Sequence, residues 1–320
     1  MGLTVAVTGP TGEIGTSVIH ALERDQRVDR VAGMARRPFD PASRGWHKTE
    51  YRQGDILDRS AVDDLVAGAD VVVHLAYVIV GSHQESERVN LAGTRNVFEA
   101  TGSRRLVYTS SVAAYGYHKD NPVPITEDVP ARGSSEHYYS AQKAACEKLL
   151  AETDVKDAYV LRPCIVAGPE ATVLLRNMPW NRAPKPLRRL LGAVPGLHPV
   201  LPDPGTRFQL VHQEDVASAV VAAVAAEGPP GAYNLAADGD IGVGEFAQAI
   251  GAYTVPVPRG LVGLTAELVN AFPYTPAQAE WIHAVRHPML VDTTKARRDL
   301  HWTPAHTTQD ALKAMTHPAP

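Results

Sequence analysis

The chain has 320 residues, long for one core and short for two independent ones, so one large domain with a smaller appendage is expected. Hydrophobic residues make up 44% and charged residues 21%, which excludes a disordered tail or a fibrous repeat. Lys plus Arg is 31 against Asp plus Glu at 35, and a net charge of −4 advertises neither nucleic acid nor an anionic membrane surface.

The elements begin with a buried strand over 3–8, the β-branched run LTVAVT. A glycine turn over 9–15 follows, then a helix over 17–22 and a second strand over 28–34. Residues 55–66 read as a turn leading into a helix with apolar Ile56, Leu57, Val62 and Leu65. The run ADVVVHL at 69–75 is the most buried-looking strand. A polar helix around 85–100 leads to a strand over 105–109, and a helix over 138–151 to a strand over 158–161. This alternation is the pattern of a parallel sheet covered on both faces, a doubly wound α/β fold. Composition shifts after Gly168. The stretch from Asn177 to Pro204 carries seven prolines and the basic cluster Lys185, Arg188 and Arg189, and reads as irregular with one helix over 186–191 and a solvated basic face. A helix over 215–226 and a strand over 233–235 rejoin the main sheet. Helices near 243–250, 261–270 and 276–285 suggest a small second lobe.

Two cysteines, Cys146 and Cys164, cannot build a disulfide framework, and no apolar run approaches the roughly 18 residues of a membrane span. With no leader pattern at the start, the expected setting is cytoplasmic. Thirteen histidines are scattered without H-E-x-x-H or a C-x-x-C pair, so no metal site is expected.

Three motifs carry chemistry. In Thr8-Gly9-Pro10-Thr11-Gly12-Glu13-Ile14-Gly15, Gly9 permits a sharp turn, Gly12 a close approach to a pyrophosphate, and Gly15 close packing of helix on strand. The helix N-terminus behind it offers free N–H donors to phosphates. In Tyr139-Ser140-Ala141-Gln142-Lys143, the tyrosine and lysine lie four apart on one helical face. An ammonium beside the phenol favours phenolate, making a residue of ordinary pKa about 10 usable as acid and base. Tyr138 lacks that spacing. At a strand end stands Tyr108-Thr109-Ser110-Ser111-Val112-Ala113-Ala114-Tyr115-Gly116, a source of hydroxyls whose bland alternative is a turn or helix cap.

The G-x-x-G-x-x-G spacing, with these later motifs in order, resembles the extended branch of the short-chain dehydrogenase/reductase superfamily, the NAD-dependent epimerase/dehydratase family. The resemblance runs from Thr8 to Leu235. It implies a Rossmann fold with a small C-terminal substrate lobe, residues 1–168 with 205–236 holding the cofactor and 169–204 with 237–320 forming the lobe. It implies Ser111, Tyr139 and Lys143 as the catalytic set, with Ser110 structural or on the cofactor side. The implied cofactor site is Gly9, Thr11, Gly12, Glu13, Ile14, Gly15, Asp55, Ile56, Leu75, Ala76, Thr109, Pro163 and Ile165, besides Tyr139 and Lys143. Asp55 meets the adenine amino group, or caps a helix, or does both. His74, Asn90, His212 and Asp215 are read as structural, and Cys164 as lying near the site with nothing beside it to activate a thiol.

Near the end of the second strand the chain reads Gly33-Met34-Ala35-Arg36-Arg37. An acid there would bind a ribose 2′-hydroxyl, whereas Arg36 or Arg37 would fork onto a 2′-phosphate or, as the alternative, stack on adenine; NADP(H) is favoured over NAD(H). Three departures constrain the substrate. Ile165 stands where nucleotide-sugar members carry asparagine, Phe208 where they carry arginine with Arg207 one step off, and Val112 and Ala113 where dehydratases carry an acidic pair. Tyr77, Val78, Ile79, Met178 and Trp180, with Ser111, make an apolar and aromatic substrate side, the alternative being interlobe packing. The expected activity is hydride transfer at a secondary alcohol or ketone of a small, fairly apolar molecule. The alternatives are a redox-neutral sugar epimerase and a non-catalytic nucleotide sensor. The resemblance also implies a homodimer.

Overall fold

A computed structural model describes residues 2–79, 83–171, 175, 200–258 and 287–316. Seven strands form one sheet: β1 (Leu3–Thr8), β2 (Val28–Ala35), β3 (Thr49–Gln53), β4 (Val71–His74), β5 (Arg105–Thr109), β6 (Ala158–Pro163) and β11 (Gly231–Leu235). Their order is β11-β6-β5-β4-β1-β2-β3 and every pairing is parallel. The chain runs outward from β1 through β2 to β3, then crosses to β4 on the other side. This is the doubly wound order, with a switch point between β1 and β4.

The apolar alternation explains the two covered faces. Val5 and Val7 of β1, Val71 and Val73 of β4, Val107 of β5 and Leu161 of β6 share one core with Val18, Ile19 and Leu22. Ala6, Val72, Leu106, Tyr108 and Val160 point the other way, into a core with Val62, Leu65, Val97 and Phe98. Side chains in a strand alternate faces, so continuous apolar runs require a helix layer on each side. The first layer includes α1 (Gly15–Arg24) and α5 (Gln213–Val224); the second includes α2 (Arg59–Val66) and α3 (Thr94–Thr101). The helix α4 (Tyr138–Ala151) carries the tyrosine–lysine motif, and its N-terminus is capped by His137, whose Nδ1 accepts from Ser140 N at 3.2 Å.

The polar helix expected around 85–100 is broken: His83–Glu87 leads into a π-helical turn, Arg88–Gly93, before α3. The reason is Asn90. It is fully buried, its Nδ2 donates to Val78 O (2.9 Å) and to Gln142 Oε1 (2.8 Å), and its Oδ1 accepts from Val78 N (2.8 Å). The extra residue in the turn directs that amide inward. Two short helices that sequence analysis does not mark, α7 (Thr294–Asp299) and α8 (Thr308–Thr316), follow α6 (Val243–Ala249). Short strands also lie outside the main sheet: β7 (Ile165–Ala167) pairs in parallel with β10 (Leu210–His212), and β8 (Val200–Asp203) and β9 (Arg207–Phe208) lie between them in the chain. The expected helices over 186–191, 261–270 and 276–285 and the basic cluster lie outside the described residues. Among the described residues, no helix is long and apolar enough to cross a membrane.

Candidate functional site

The glycine turn joins β1 to α1 at the switch point. Gly9 has φ of 74°, and a Cβ there would stand 2.8 Å from Ala76 N, so only glycine lets the turn run against the segment after β4. At Gly12 a Cβ would meet the Gly9 carbonyl alone, at 3.3 Å, and the residue is exposed, as is Thr11. At Gly15 a Cβ would stand 2.1 Å from Gly9 O and 2.7 Å from Pro10 C. Gly15 thus lets the helix close on its own turn, not on the strand as expected. Ile14 gives α1 no side-chain cap, and in the first turn Thr16 N donates to Gly12 O (3.2 Å).

Leu75 N donates to Thr8 O (3.1 Å) and Ala76 N to Thr8 Oγ1 (3.3 Å), tying the end of β4 to the end of β1. His74 is buried between Thr8 Oγ1 (2.7 Å) and Thr94 Oγ1 (2.9 Å); burial, with Lys143 nearby, pushes it down to about 3, so it is a neutral core histidine. Asp55 is not the helix cap: Asp58 caps α2, accepting from Ser60 N and Ala61 N, while Asp55 Oδ1 accepts from Leu57 N (3.0 Å). Ile56 is buried, and a Cβ on Gly93 would stand 2.5 Å from it.

Arg36 and Arg37 are exposed just beyond β2. Gln53 Nε2 donates to Arg36 O (3.0 Å), and the Tyr51 hydroxyl hydrogen-bonds to Arg37 O and to Ala35 O. Their backbone is therefore fixed, while neither guanidinium has an ion-pair partner among the described residues.

The catalytic set converges from two elements. Ser111 is buried at the start of the turn Val112–Tyr115, which it caps by accepting from Ala113 N at 3.1 Å. Tyr139 and Lys143 come from one face of α4. Burial pushes the Tyr139 phenol up to about 12, and its hydrogen bond with Ser111 opposes this only in part. Burial likewise pushes Lys143 down to about 8. Its Nζ donates to Thr109 O (2.9 Å) and lies 3.7 Å from the Tyr77 ring centroid but 5.9 Å from that of Tyr139.

Ser110 Oγ donates to Glu147 Oε1 at 2.6 Å, so it serves the frame. Glu147 also receives Arg162 Nε (3.0 Å) and Nη2 (2.5 Å), and the Arg162 guanidinium lies 4.6 Å from the Tyr115 ring centroid. Sequence reasoning missed this residue; an acid at the next i+4 position after Tyr139 and Lys143 was its signal. Gln142, buried beside Asn90, was missed as well. Pro163 ends β6 and Ile165, partly exposed, opens β7. Cys164 is buried, and burial pushes its thiol up, away from reactivity. Met178 and Trp180 lie outside the described residues.

Asp215 is buried and accepts from Ala305 N (2.8 Å), His306 N (3.2 Å) and His306 Nδ1 (3.1 Å), which anchors the C-terminal segment. His212, Glu214 and His306 have donor atoms within 4.8 Å of one another. However, His212 Nδ1 caps α5 by accepting from Glu214 N, which puts its proton on Nε2 and removes that lone pair from a metal.

A match to one enzyme family runs from residue 5 to residue 236, through the glycine turn, the serine pair and the tyrosine–lysine helix. The chain belongs to the NAD dependent epimerase/dehydratase family. It is therefore an enzyme of the extended short-chain dehydrogenase/reductase type with a nicotinamide dinucleotide cofactor. Among its relatives, an uncharacterized protein, y4nG, of Sinorhizobium fredii is 29% identical over 325 residues, covering 97% of this chain and 76% of the relative. A ceramide reductase of Caulobacter vibrioides is 32% identical over 223 residues, covering 68% of this chain and 60% of that protein. The Bordetella bronchiseptica enzyme WbmH, solved in complex with NAD+, has the same fold, with a TM-score of 0.71, 20% identity, and 98% of this chain and 97% of that chain covered. The site of this epimerase/dehydratase family member fits such a cofactor. The turn is open at Gly12, the helix start is uncapped, and Thr109 Oγ1 is buried without a hydrogen-bond partner among the described residues.

The two glycines should separate experimentally. Gly15→Ala forces backbone apart and is expected to cost about 1–3 kcal/mol in urea unfolding as well as cofactor binding. Gly12→Ala should fold normally and lose only NADH and NADPH binding in a fluorescence titration. Equal unfolding midpoints for both variants would refute this division of roles.

Proposed function

We propose that the chain is an NADP(H)-dependent oxidoreductase acting at a secondary alcohol or ketone of a fairly apolar substrate. The observation that carries this reading is the ring of aromatic side chains about Tyr139. Tyr77 lies edge-on at 5.6 Å, His137 at 6.3 Å, and Tyr117, Tyr138 and His83 continue the wall at 5.1, 6.1 and 4.7 Å from one ring to the next. Such a wall favours an apolar molecule over a diphosphate. Arg207, one step from the position where nucleotide-sugar members carry arginine, is bonded through Nε to Asp240 Oδ1 (2.6 Å) and lies 3.6 Å from Glu245. Phe208 packs on Phe246 in a small separate core with Leu210, Ile241 and Leu312. In this proposal residues 1–168 with 205–236 form the cofactor domain and 169–204 with 237–320 the substrate lobe, and the small core is where the two meet, Leu210 coming from the first and Ile241 and Leu312 from the second. The ceramide reductase of Caulobacter supports reduction of a lipid-like substrate.

When bound, the nicotinamide supplies or accepts the hydride. In reduction, Tyr139 would give its hydroxyl proton to the substrate carbonyl oxygen, which Ser111 would orient. Lys143 holds positive charge beside the phenol while the proton leaves. Arg36 or Arg37 would hold the 2′-phosphate of the cofactor.

The test is to denature the purified protein, identify any released nucleotide, and titrate the empty protein with NADPH and NADH. Tighter binding of NADPH is expected, and Arg36→Ala with Arg37→Ala should weaken NADPH about tenfold or more while leaving NADH unchanged. Stoichiometric, non-exchanging NAD would overturn the reading in favour of the redox-neutral epimerase.

A further inference from the structure

We infer that Tyr77 is a positioning residue of this reaction, its ring face holding the Lys143 ammonium fixed and charged next to Tyr139. The inference rests on the proposed hydride-transfer reading and adds a residue that works through Lys143 and does not itself touch the reacting atoms. Lys143 is buried, and a buried ammonium needs compensating negative charge. The nearest carboxylate on its own helix, Glu147, is committed to Arg162 and Ser110. What remains close to Nζ is the Thr109 carbonyl at 2.9 Å and the Tyr77 face at 3.7 Å, with the Tyr108 ring farther off at 5.2 Å. The negative face of an aromatic ring attracts a cation, and does so most strongly where water is excluded.

The same ring meets Tyr139 edge-on, with centroids 5.6 Å apart and planes at 84°, so one side chain touches both members of the pair. It is itself held. The Tyr77 hydroxyl lies 3.5 Å from Gln142 Oε1, which receives Asn90 Nδ2, and Asn90 clamps both backbone polar groups of Val78. The charged and titratable groups that face Nζ are His74 from β4, Tyr108 from β5, Cys146 and Glu147 from its own helix, and the two tyrosines. His74 is neutral and the Tyr108, Tyr77 and Cys146 protons are all retained through burial. Since burial already brings Lys143 down to about 8, the loss of one favourable contact would carry its titration into the neutral range.

The test reads Lys143 directly and needs no substrate. Trace acetylation of the folded protein by acetic anhydride, followed at the Lys143 peptide by mass spectrometry across pH, gives the midpoint of its deprotonation. Wild type and Tyr77→Phe are expected to share a midpoint, because both keep the ring face. Tyr77→Leu should lower it by about one pH unit. A ring-fluorinated phenylalanine at position 77 keeps the shape while weakening the negative face, so it should also lower the midpoint even if the leucine variant folds poorly. One midpoint shared by the phenylalanine and fluorinated forms would overturn the inference. Protection of Lys143 by added NADPH or NADH tests the underlying reading separately. Without protection the pocket is not the cofactor site and the catalytic meaning of the contact falls, even where the midpoints keep their order.

Discussion

Tyr139→Phe is expected to lower turnover about 10²–10⁴-fold while leaving NADPH binding nearly unchanged. Phenylalanine keeps the edge-on contact with Tyr77 and the fit against His137, so the wall stands and only the hydroxyl is lost. The measurement is nicotinamide absorbance with a panel of apolar ketones, paired with a cofactor titration of the same preparation. Retained activity would remove Tyr139 from the chemistry; lost cofactor binding would make it structural. The protonation state adds a direction. Burial holds the phenol at about 12, so it carries its proton throughout the neutral range and is ready to act as an acid. Reduction therefore needs no prior titration at Tyr139. Oxidation needs the phenolate, whose share grows as pH rises toward that value, so the oxidative rate should climb with pH where the reductive rate does not.

The sequence reading succeeded where one local pattern determined the outcome. Strand β5 and helix α4 were read to the residue: a five-residue apolar strand at a sheet centre, and a long helix, leave little room for other solutions. Strand β3 went unread because TEYRQ has no apolar run. It is an edge strand, with Thr49 alone buried and its hydroxyl donating to Glu23 Oε1 (2.6 Å). The helices α7 and α8 were missed for a different reason. They sit beside a segment held by Asp215, some 90 residues earlier in the chain, and no local pattern records that bond. At the site, the tyrosine–lysine spacing was legible because both residues lie on one helix. Glu147 was not, because its partners come from elsewhere in the chain, Ser110 from just past β5 and Arg162 from β6, 37 and 15 residues away. Tyr77 was read as facing substrate; that its ring covers Lys143 depends on how β4 and α4 meet in space.

Glu147→Ala is expected to destabilise the protein by about 3–5 kcal/mol, read as a lower urea midpoint at unchanged slope. The side chains of Arg162 and Glu147 are 7% and 11% exposed, so removal of the acid leaves a buried guanidinium without its counter-charge. Burial alone would push Arg162 down; the hydrogen bonds to Glu147 more than reverse this and hold it above its ordinary value. Arg162 Nη1 already has no hydrogen-bond partner among the described residues, so there is little spare compensation. The Ser110 hydroxyl would lose its acceptor too. A double variant, Glu147→Leu with Arg162→Met, separates attraction from desolvation. Replacing a buried pair by apolar groups is often neutral, so the double variant should recover most of the stability that the single one loses. Activity should not recover with it. Glu147 ties the helix of Tyr139 and Lys143 to the strand ends that carry Ser111 and Pro163, and apolar packing cannot reproduce a bond that fixes direction. Recovery of both stability and turnover would mean that the ion pair holds the fold and does nothing for the geometry of the site.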